Sequence, residues 1–373
     1  MKFVISSSEL SKHLQAVAKV INSKNTLPIL DNFLFNVEGN TLTITGSDLE
    51  TTLITKIELD NVEGEGVIAV EVNKLLNLLR LWPELPLSFS VDEEKQNVNI
   101  TSETGKYSLP YMDGAEFPKI PEFEGDFTTV KYTGDVLVSG IEKTLFATAD
   151  DELRPVMNGI FFEIEEGKTT FVASDSHKLV RYIRTDVDAK AASSFILPKK
   201  PAGIIKNSLS KDDTIIEVNF DQKNAVFKYD EFTLVARLVE GTYPSYNSVI
   251  PTDLPNKLLV DRLAFLNKLK LVTVLANQAS FLVKLKVTPN KLFVSAQDVD
   301  FASAANEEID CHYEGEDMEI GFKGPFLQDI LSNLASADVV LQLHDPSRAG
   351  ILVPNETETE AEDVLMLIMP MML

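Results

Sequence analysis

The stretch LTITGSDLETTLITKI, residues 42–57, sets the reading of the whole chain, because it returns twice. TFVASDSHKLVRYIR occupies residues 170–184 and LFVSAQDVDFASAANEEI residues 292–309. Each copy is an alternating apolar run, a turn built on an aspartate, and a second run, which is the pattern of two half-buried strands. The aspartates are Asp48, Asp175 and Asp298, separated by 127 and then 123 residues. Spacing this long is not that of a solenoid, whose repeats run about 20–50 residues. It is the length of an ordinary domain.

Two further phrases keep step with the first. VNKLLNLLRLW from Val72, LPKKPAGIIKNSL from Leu197 and FKGPFLQDILSNL from Phe322 each read as a strand end running into a helix. SSSELSKHLQAVAKVI places Leu10, Leu14, Val17 and Ile21 on one helical face, and Ser6 with Glu9 forms a capping box in front of it. Its counterparts begin at Thr133 and Val260. Pro- and Gly-rich punctuation falls at residues 118–124 and 242–251. The expectation is an α+β protein of three similar domains, 1–122, 123–249 and 250–373.

Composition limits what those domains do. The 373 residues include 34 Lys and Arg against 57 Asp and Glu, a net charge of −23, which taken alone argues against nucleic acid. Cys311 is the single cysteine, so there is no disulfide framework and no thiolate metal site. No apolar run reaches the roughly 18 residues of a membrane span, and MKFVISSSEL is not a signal sequence, which points to a cytoplasmic protein. Nucleotide-binding, zinc-protease and serine-hydrolase motifs are missing. The best catalytic material is Asp175 and His177 with Asp151 nearby, a set that suits a metal-dependent hydrolase. Repetition argues the other way, since an aspartate kept at one place in three units suits capping of turn N–H groups. His177 has Glu50 and Asp300 at its place in the other copies, so any role of its own is local.

The ordered series of phrases resembles a known family, the bacterial DNA polymerase III beta subunits, or replicative sliding clamps. MKFVIS, residues 26–30 (TLPIL), residues 46–50 (GSDLE) and Phe117-Pro118 are similar to the first clamp domain. Asn158-Gly159, residues 174–179 (SDSHKL) and residues 241–246 (GTYPSY) are similar to the second. Residues 320–322 (IGF) and the terminal MPMML are similar to the third. The resemblance covers the whole chain. It implies a ring-shaped head-to-tail homodimer, with helices lining the hole and antiparallel sheets outside. It also implies a processivity subunit without catalysis or cofactor.

Three sets of residues follow from the resemblance. Arg154, in the loop-like stretch ADDELRP, is a further DNA candidate, while Lys24, Lys74, Lys199, Lys200 and Lys323 match positions near DNA. They come from a wider set of helix-borne lysines and arginines that includes Lys12, Lys19, Arg80, Lys143, Lys206, Arg262, Lys268 and Lys270. A peptide-docking pocket would comprise Met157, Ser174, Ser176, His177, Lys178, Leu179, Pro244, Val249, Leu367, Met369, Pro370, Met371 and Leu373. It would receive short peptides of the polymerase alpha subunit, the clamp loader delta subunit, other polymerases and mismatch-repair proteins. Tyr107 and Leu109 on one side, and Val274 and Leu275 on the other, would close the dimer. Three departures stand out: Met372 and Ser248 where the family often has Arg, and Ser176 where it often has Gly. They imply a less basic pocket rim. An acidic scaffold that never encircles DNA is the remaining alternative.

Overall fold

A computed structural model describes every residue except Glu122 and Glu124. The boundary expected at residue 122 therefore lies outside the described residues. Six helices of 10 to 12 residues appear in the expected places: α1 (Ser7–Val17), α2 (Val72–Leu81), α3 (Gly134–Leu145), α4 (Lys199–Ser208), α5 (Arg262–Thr273) and α6 (Gly324–Asn333). A strand leads directly into α1, α3 and α5 in turn, Lys2–Ser6, Thr128–Thr133 and Asn256–Asp261.

Local chemistry fixes the helix ends. The Ser6 hydroxyl accepts from the Glu9 N–H, the forward half of the capping box. Glu71 caps α2 through the N–H groups of Asn73 and Lys74, and Asp261 caps α5 through that of Ala264. Leu10, Leu14 and Val17 are buried on one face of α1. Ile21 is not on that face as expected. The helix stops at Val17, and Ile21 reaches Gly46 from the following turn, where any side chain on residue 46 would collide with Val17.

Compaction follows the sheets rather than the thirds. One unit comprises Met1–Gly134 and Lys200–Leu238, the other Asp135–Lys199 and Val239–Leu373. Among the described residues the first carries one continuous sheet of 13 strands, the second one of 12, and the strand pairs are antiparallel. Continuity comes from two pairings that cross the thirds. In the first unit Phe232–Arg237 joins Thr51–Glu58, with Thr233 opposite Ile54. In the second, Glu362–Ile368 joins Lys178–Arg184, with Leu365 opposite Arg181. Each junction satisfies a strand edge that a lone domain would expose. No described helix is long and apolar enough to cross a membrane.

Candidate functional site

The aspartate turns come first, because they position the site. Asp48 Oδ1 accepts from the N–H groups of Glu50 and Thr51 at 3.0 and 2.7 Å. Asp175 Oδ1 accepts from His177 and Lys178, both at 2.9 Å. Asp298 Oδ1 accepts from Asp300 and Phe301 at 3.0 and 3.4 Å. All three carboxylates therefore cap turns, as the repetition implied. The turn forces a left-handed residue, Leu49 at φ 78° and Ser176 at φ 76°. That backbone explains why glycine suits position 176.

Around the middle turn, side chains of the second unit converge on an apolar floor. Val172, Leu179, Ile196, Tyr243, Tyr246 and Leu367 are buried together, with Phe161, Ile250 and Leu254 packed against them. Phe161 stacks on Tyr243 with ring centroids 4.8 Å apart. Tyr246 donates to the Glu163 carboxylate. Burial raises the pKa of both tyrosine hydroxyls, and the Glu163 contact adds to it at Tyr246. Both rings therefore stay neutral across the physiological range. Met157 is buried at the edge, its sulfur 3.8 Å from the Ser176 hydroxyl. Ser174 Oγ donates to the Lys178 carbonyl at 2.9 Å, locking the turn. Pro244 and Val249 flank the buried tyrosines, and Val249 is exposed.

The chain terminus runs beside the same turn. The final strand ends at Ile368, and the sheet ladder is lost from there. The Met369 N–H donates to the His177 carbonyl at 2.9 Å, which ties the tail to the turn. Met371 bridges to Gly321, its N–H donating to the Gly321 carbonyl at 2.8 Å. A side chain on residue 321 would sit 2.7 Å from the Met371 carbonyl, 2.9 Å from Leu282 and 3.0 Å from Leu373. Met369 and Leu373 are exposed, and Met372 is 96% exposed. Flexible apolar side chains beside a buried floor make an adaptable docking surface.

Three of the charged candidates have partners within the chain. Arg154, expected among the DNA contacts, lies at the cleft: its Nη1 is 2.6 Å from Ser176 Oγ, and its Nε is 2.8 Å from Asp151 Oδ2. The Leu153 N–H and then the Arg154 guanidinium hold Asp151 below the usual carboxylate range. Lys178, expected in the pocket, is buried with its amine 3.0 Å from Asp175 Oδ2, 3.4 Å from Asp329 and 4.4 Å from the Phe326 ring centre. Its charge is internally balanced, so it supports the turn rather than offering a free cation. Lys200, expected at DNA, binds Asp48, the Val20 carbonyl and Asn22 instead. Three acceptors on one ammonium use all its donors.

Phe326 was not singled out from the sequence, yet it stacks on His177 at 5.5 Å and carries both Lys178 and Lys323 on its ring. Of the remaining DNA candidates, Lys24 and Lys74 are exposed, and Lys74 has only Glu71 at 3.9 Å. Lys199 pairs with Asp150 at 2.7 Å. Lys12, Lys143 and Lys268 pair with Glu231, Glu358 and Glu307, while Lys19 and Arg262 bind backbone carbonyls.

The hydrolase reading loses its ligand set. Asp175 is committed to the turn and to Lys178, Asp151 to Arg154, and His177 to the Phe326 ring. Among the described residues no three His, Cys, Asp or Glu side chains are placed to hold a metal ion.

At the dimer positions, Val274 is 71% exposed at the end of α5 and Leu275 is partly exposed beside it. Tyr107 lies edge-on against Trp82 at 4.9 Å. Leu109 is only 9% exposed. It is therefore already used by its own unit.

Comparison with known proteins agrees with this arrangement over the full length. Family models of the DNA polymerase III beta subunit match in chain order. The N-terminal domain matches residues 1–121, the central domain 132–245 and the C-terminal domain 247–372. The beta sliding clamp of Pseudomonas putida is 28% identical with 100% of both chains covered. That of Escherichia coli is 29% identical over 98% of this chain and 99% of its own. Among solved structures, the DNA polymerase III beta subunit of Pseudomonas aeruginosa superposes with a TM-score of 0.93 at 26% identity, covering 100% of both chains. A sliding clamp from the same organism bound to griselimycin gives the same TM-score and identity, again with 100% of both chains covered.

Proposed function

The chain belongs to the DNA polymerase III beta subunit family, the sliding clamps, and on that footing we propose how its own residues do a clamp's work. Two copies close head to tail into a ring around duplex DNA. The ring performs no chemistry and holds no cofactor. It tethers the replicative polymerase by its alpha subunit, and it is opened through the delta subunit of the clamp loader. Other polymerases and mismatch-repair proteins dock by short peptides in the same cleft.

The single observation that carries the docking role is the tail. Residues 369–373 follow the final strand, are pinned by Gly321 and the His177 carbonyl, and leave Met369, Met372 and Leu373 exposed. A partner peptide with two or three large apolar side chains would fill the floor over Leu179, Tyr243 and Leu367. Burying each such side chain contributes about 1.5–3 kcal/mol before entropic costs. Arg154 and Ser176 would orient the peptide backbone or an acidic group at the rim. Met372, in place of a cation, makes that rim more apolar.

The charge of −23 suits a topological tether. A ring needs no adhesive energy, and each phosphate contact adds salt-sensitive affinity that slows sliding. Lys24 and Lys74 have the free reach for passing phosphate contacts. Lys199 joins them, because an exposed ion pair such as Lys199–Asp150 is worth only about 0–1 kcal/mol and exchanges readily. Lys323 is held more loosely than Lys178 and is a further contact.

A fluorescent peptide of the Gln-Leu-x-Leu-Phe type, titrated against the intact chain, tests the docking role. Micromolar binding is expected, lost by at least tenfold on deletion of residues 369–373. Equal binding by both forms would remove the tail from the site.

A further inference from the structure

Three of the last five residues are methionine, Met369, Met371 and Met372, and Met366 stands just before them. Half of the chain's eight methionines therefore fall within seven residues of sequence. The inference drawn from them rests on the proposed docking role of the tail. A thioether is soft and apolar, which suits a surface that meets different peptides. The same sulfur is open to oxidation, and the sulfoxide it becomes is polar and chiral.

Exposure decides which sulfurs react. Met372 is 96% exposed and Met369 43%, while Met371 is partly exposed. Met366 and Met157 are buried, at 0% and 6%. Met112 is 36% exposed, but its sulfur accepts from the Asn32 amide at 3.6 Å. Met1 and Met318 are partly exposed. The departure at residue 372, where the resemblance leads one to expect Arg, thus supplies the most exposed sulfur of all.

Cys311 is the natural rival for an oxidant, because a thiolate reacts readily. It is half-buried, with its sulfur 3.8 Å from the Thr288 carbonyl. Burial, and then the neighbouring Asp310 carboxylate, raise its pKa above the ordinary thiol value. The protonated thiol is the unreactive form. A thioether needs no deprotonation, so the tail has no such barrier. Its backbone is meanwhile held by the His177 and Gly321 carbonyls, which accept from the Met369 and Met371 N–H groups. A change at sulfur would alter the surface chemistry and leave the tail in its seat.

We propose that the Met369–Met372 segment is an oxidation site, at which a peroxide converts exposed thioethers to sulfoxides and so lowers the affinity of the docking cleft for apolar peptides. The step balances with hydrogen peroxide as the oxidant. A sulfur lone pair attacks one peroxide oxygen, and the O–O bond breaks as the S–O bond forms. The proton on the attacked oxygen passes to the leaving hydroxide, which departs as water. Sulfur loses two electrons and the peroxide gains them. The new oxygen is a strong acceptor, and an apolar peptide side chain would desolvate it without offering a donor.

The test uses the full-length chain in a Cys311→Ser background and a sulfur-free fluorescent peptide of the Gln-Leu-x-Leu-Phe type. Hydrogen peroxide is added, the excess is destroyed with catalase, and sulfoxides are mapped by mass spectrometry. Met372 and then Met369 are expected to gain one oxygen each before any methionine outside the tail. Peptide affinity should fall about tenfold, the scale of one acceptor desolvated without a partner. The melting temperature should not move. Reductases for both sulfoxide epimers, supplied with dithiothreitol, should restore binding. A chain carrying M369L, M371L and M372L, compared only with itself before and after peroxide, should change by less than about twofold, because leucine has nothing to oxidise. An untreated chain that does not bind the peptide would sink the docking reading itself. Where the untreated chain binds, four results would overturn the oxidation site alone. These are unchanged affinity with sulfoxides at residues 369 and 372, a loss that the reductases do not reverse, an equal loss in the leucine variant, and oxidation that begins outside the tail.

Discussion

Residue 321 shows how one missing side chain sets a site. A methyl group there would meet the Met371 carbonyl at 2.7 Å, and backbone cannot yield as a flexible side chain does. Gly321→Ala should therefore lift the tail from its seat. The expected result is at least a tenfold loss of peptide affinity with a stability change of only about 1–2 kcal/mol, read by titration and by chemical unfolding. Unchanged affinity would mean that the tail's position does not matter to docking. The same scale shows what the sequence did not disclose. The turn role of Asp175 was readable from repetition. The placement of Arg154 was not, because its partner Ser176 is 22 residues away and only the fold brings them together. Lys200 read as a DNA-facing cation and Lys178 as a pocket residue, but Lys200 is neutralised by Asp48, 152 residues away, and Lys178 by Asp175 in its own turn together with the distant Asp329.

At the scale of the element, α1 carries a pH-sensitive group inside the first unit. His13 is buried, with Nδ1 2.6 Å from Thr55 Oγ1 and Nε2 3.8 Å from Glu231. Burial, the largest cause, lowers its pKa below the ordinary value of 6.5, against the opposing pull of Glu231. A lowered folded-state value means that the folded state binds fewer protons than the unfolded chain near that pH. Stability is thus full above about 6.5 and falls as pH drops through the folded value. Thermal melts from pH 7.5 to 5 should show a decline that His13→Gln reduces. An identical pH profile in the variant would remove His13 as its source. Helices and their buried faces were legible because apolar spacing and caps are local signals. The end of α1 was not, since Ile21 keeps helical spacing but is drawn into a turn by packing at Gly46. Strand partners across thirds were equally hidden, because nothing in a strand's own sequence names its neighbour.

For the whole molecule, the threefold repeat was readable but its consequence was not. Three similar domains could have packed as separate bodies. Instead the strand pairings fuse parts of different thirds into two continuous sheets, one in each compact unit. Each internal pairing satisfies a strand edge that a lone third would expose, and the proposed ring closes by a heterologous contact between copies. Excess negative charge then stops being an argument against DNA, because enclosure replaces adhesion. The most direct test is retention on a nicked circular plasmid after loading with a clamp loader and ATP. The protein should co-elute with the circle through gel filtration at moderate salt and be released when the plasmid is linearised. Retention that survives linearisation would mean adhesive binding, and would contradict a sliding ring.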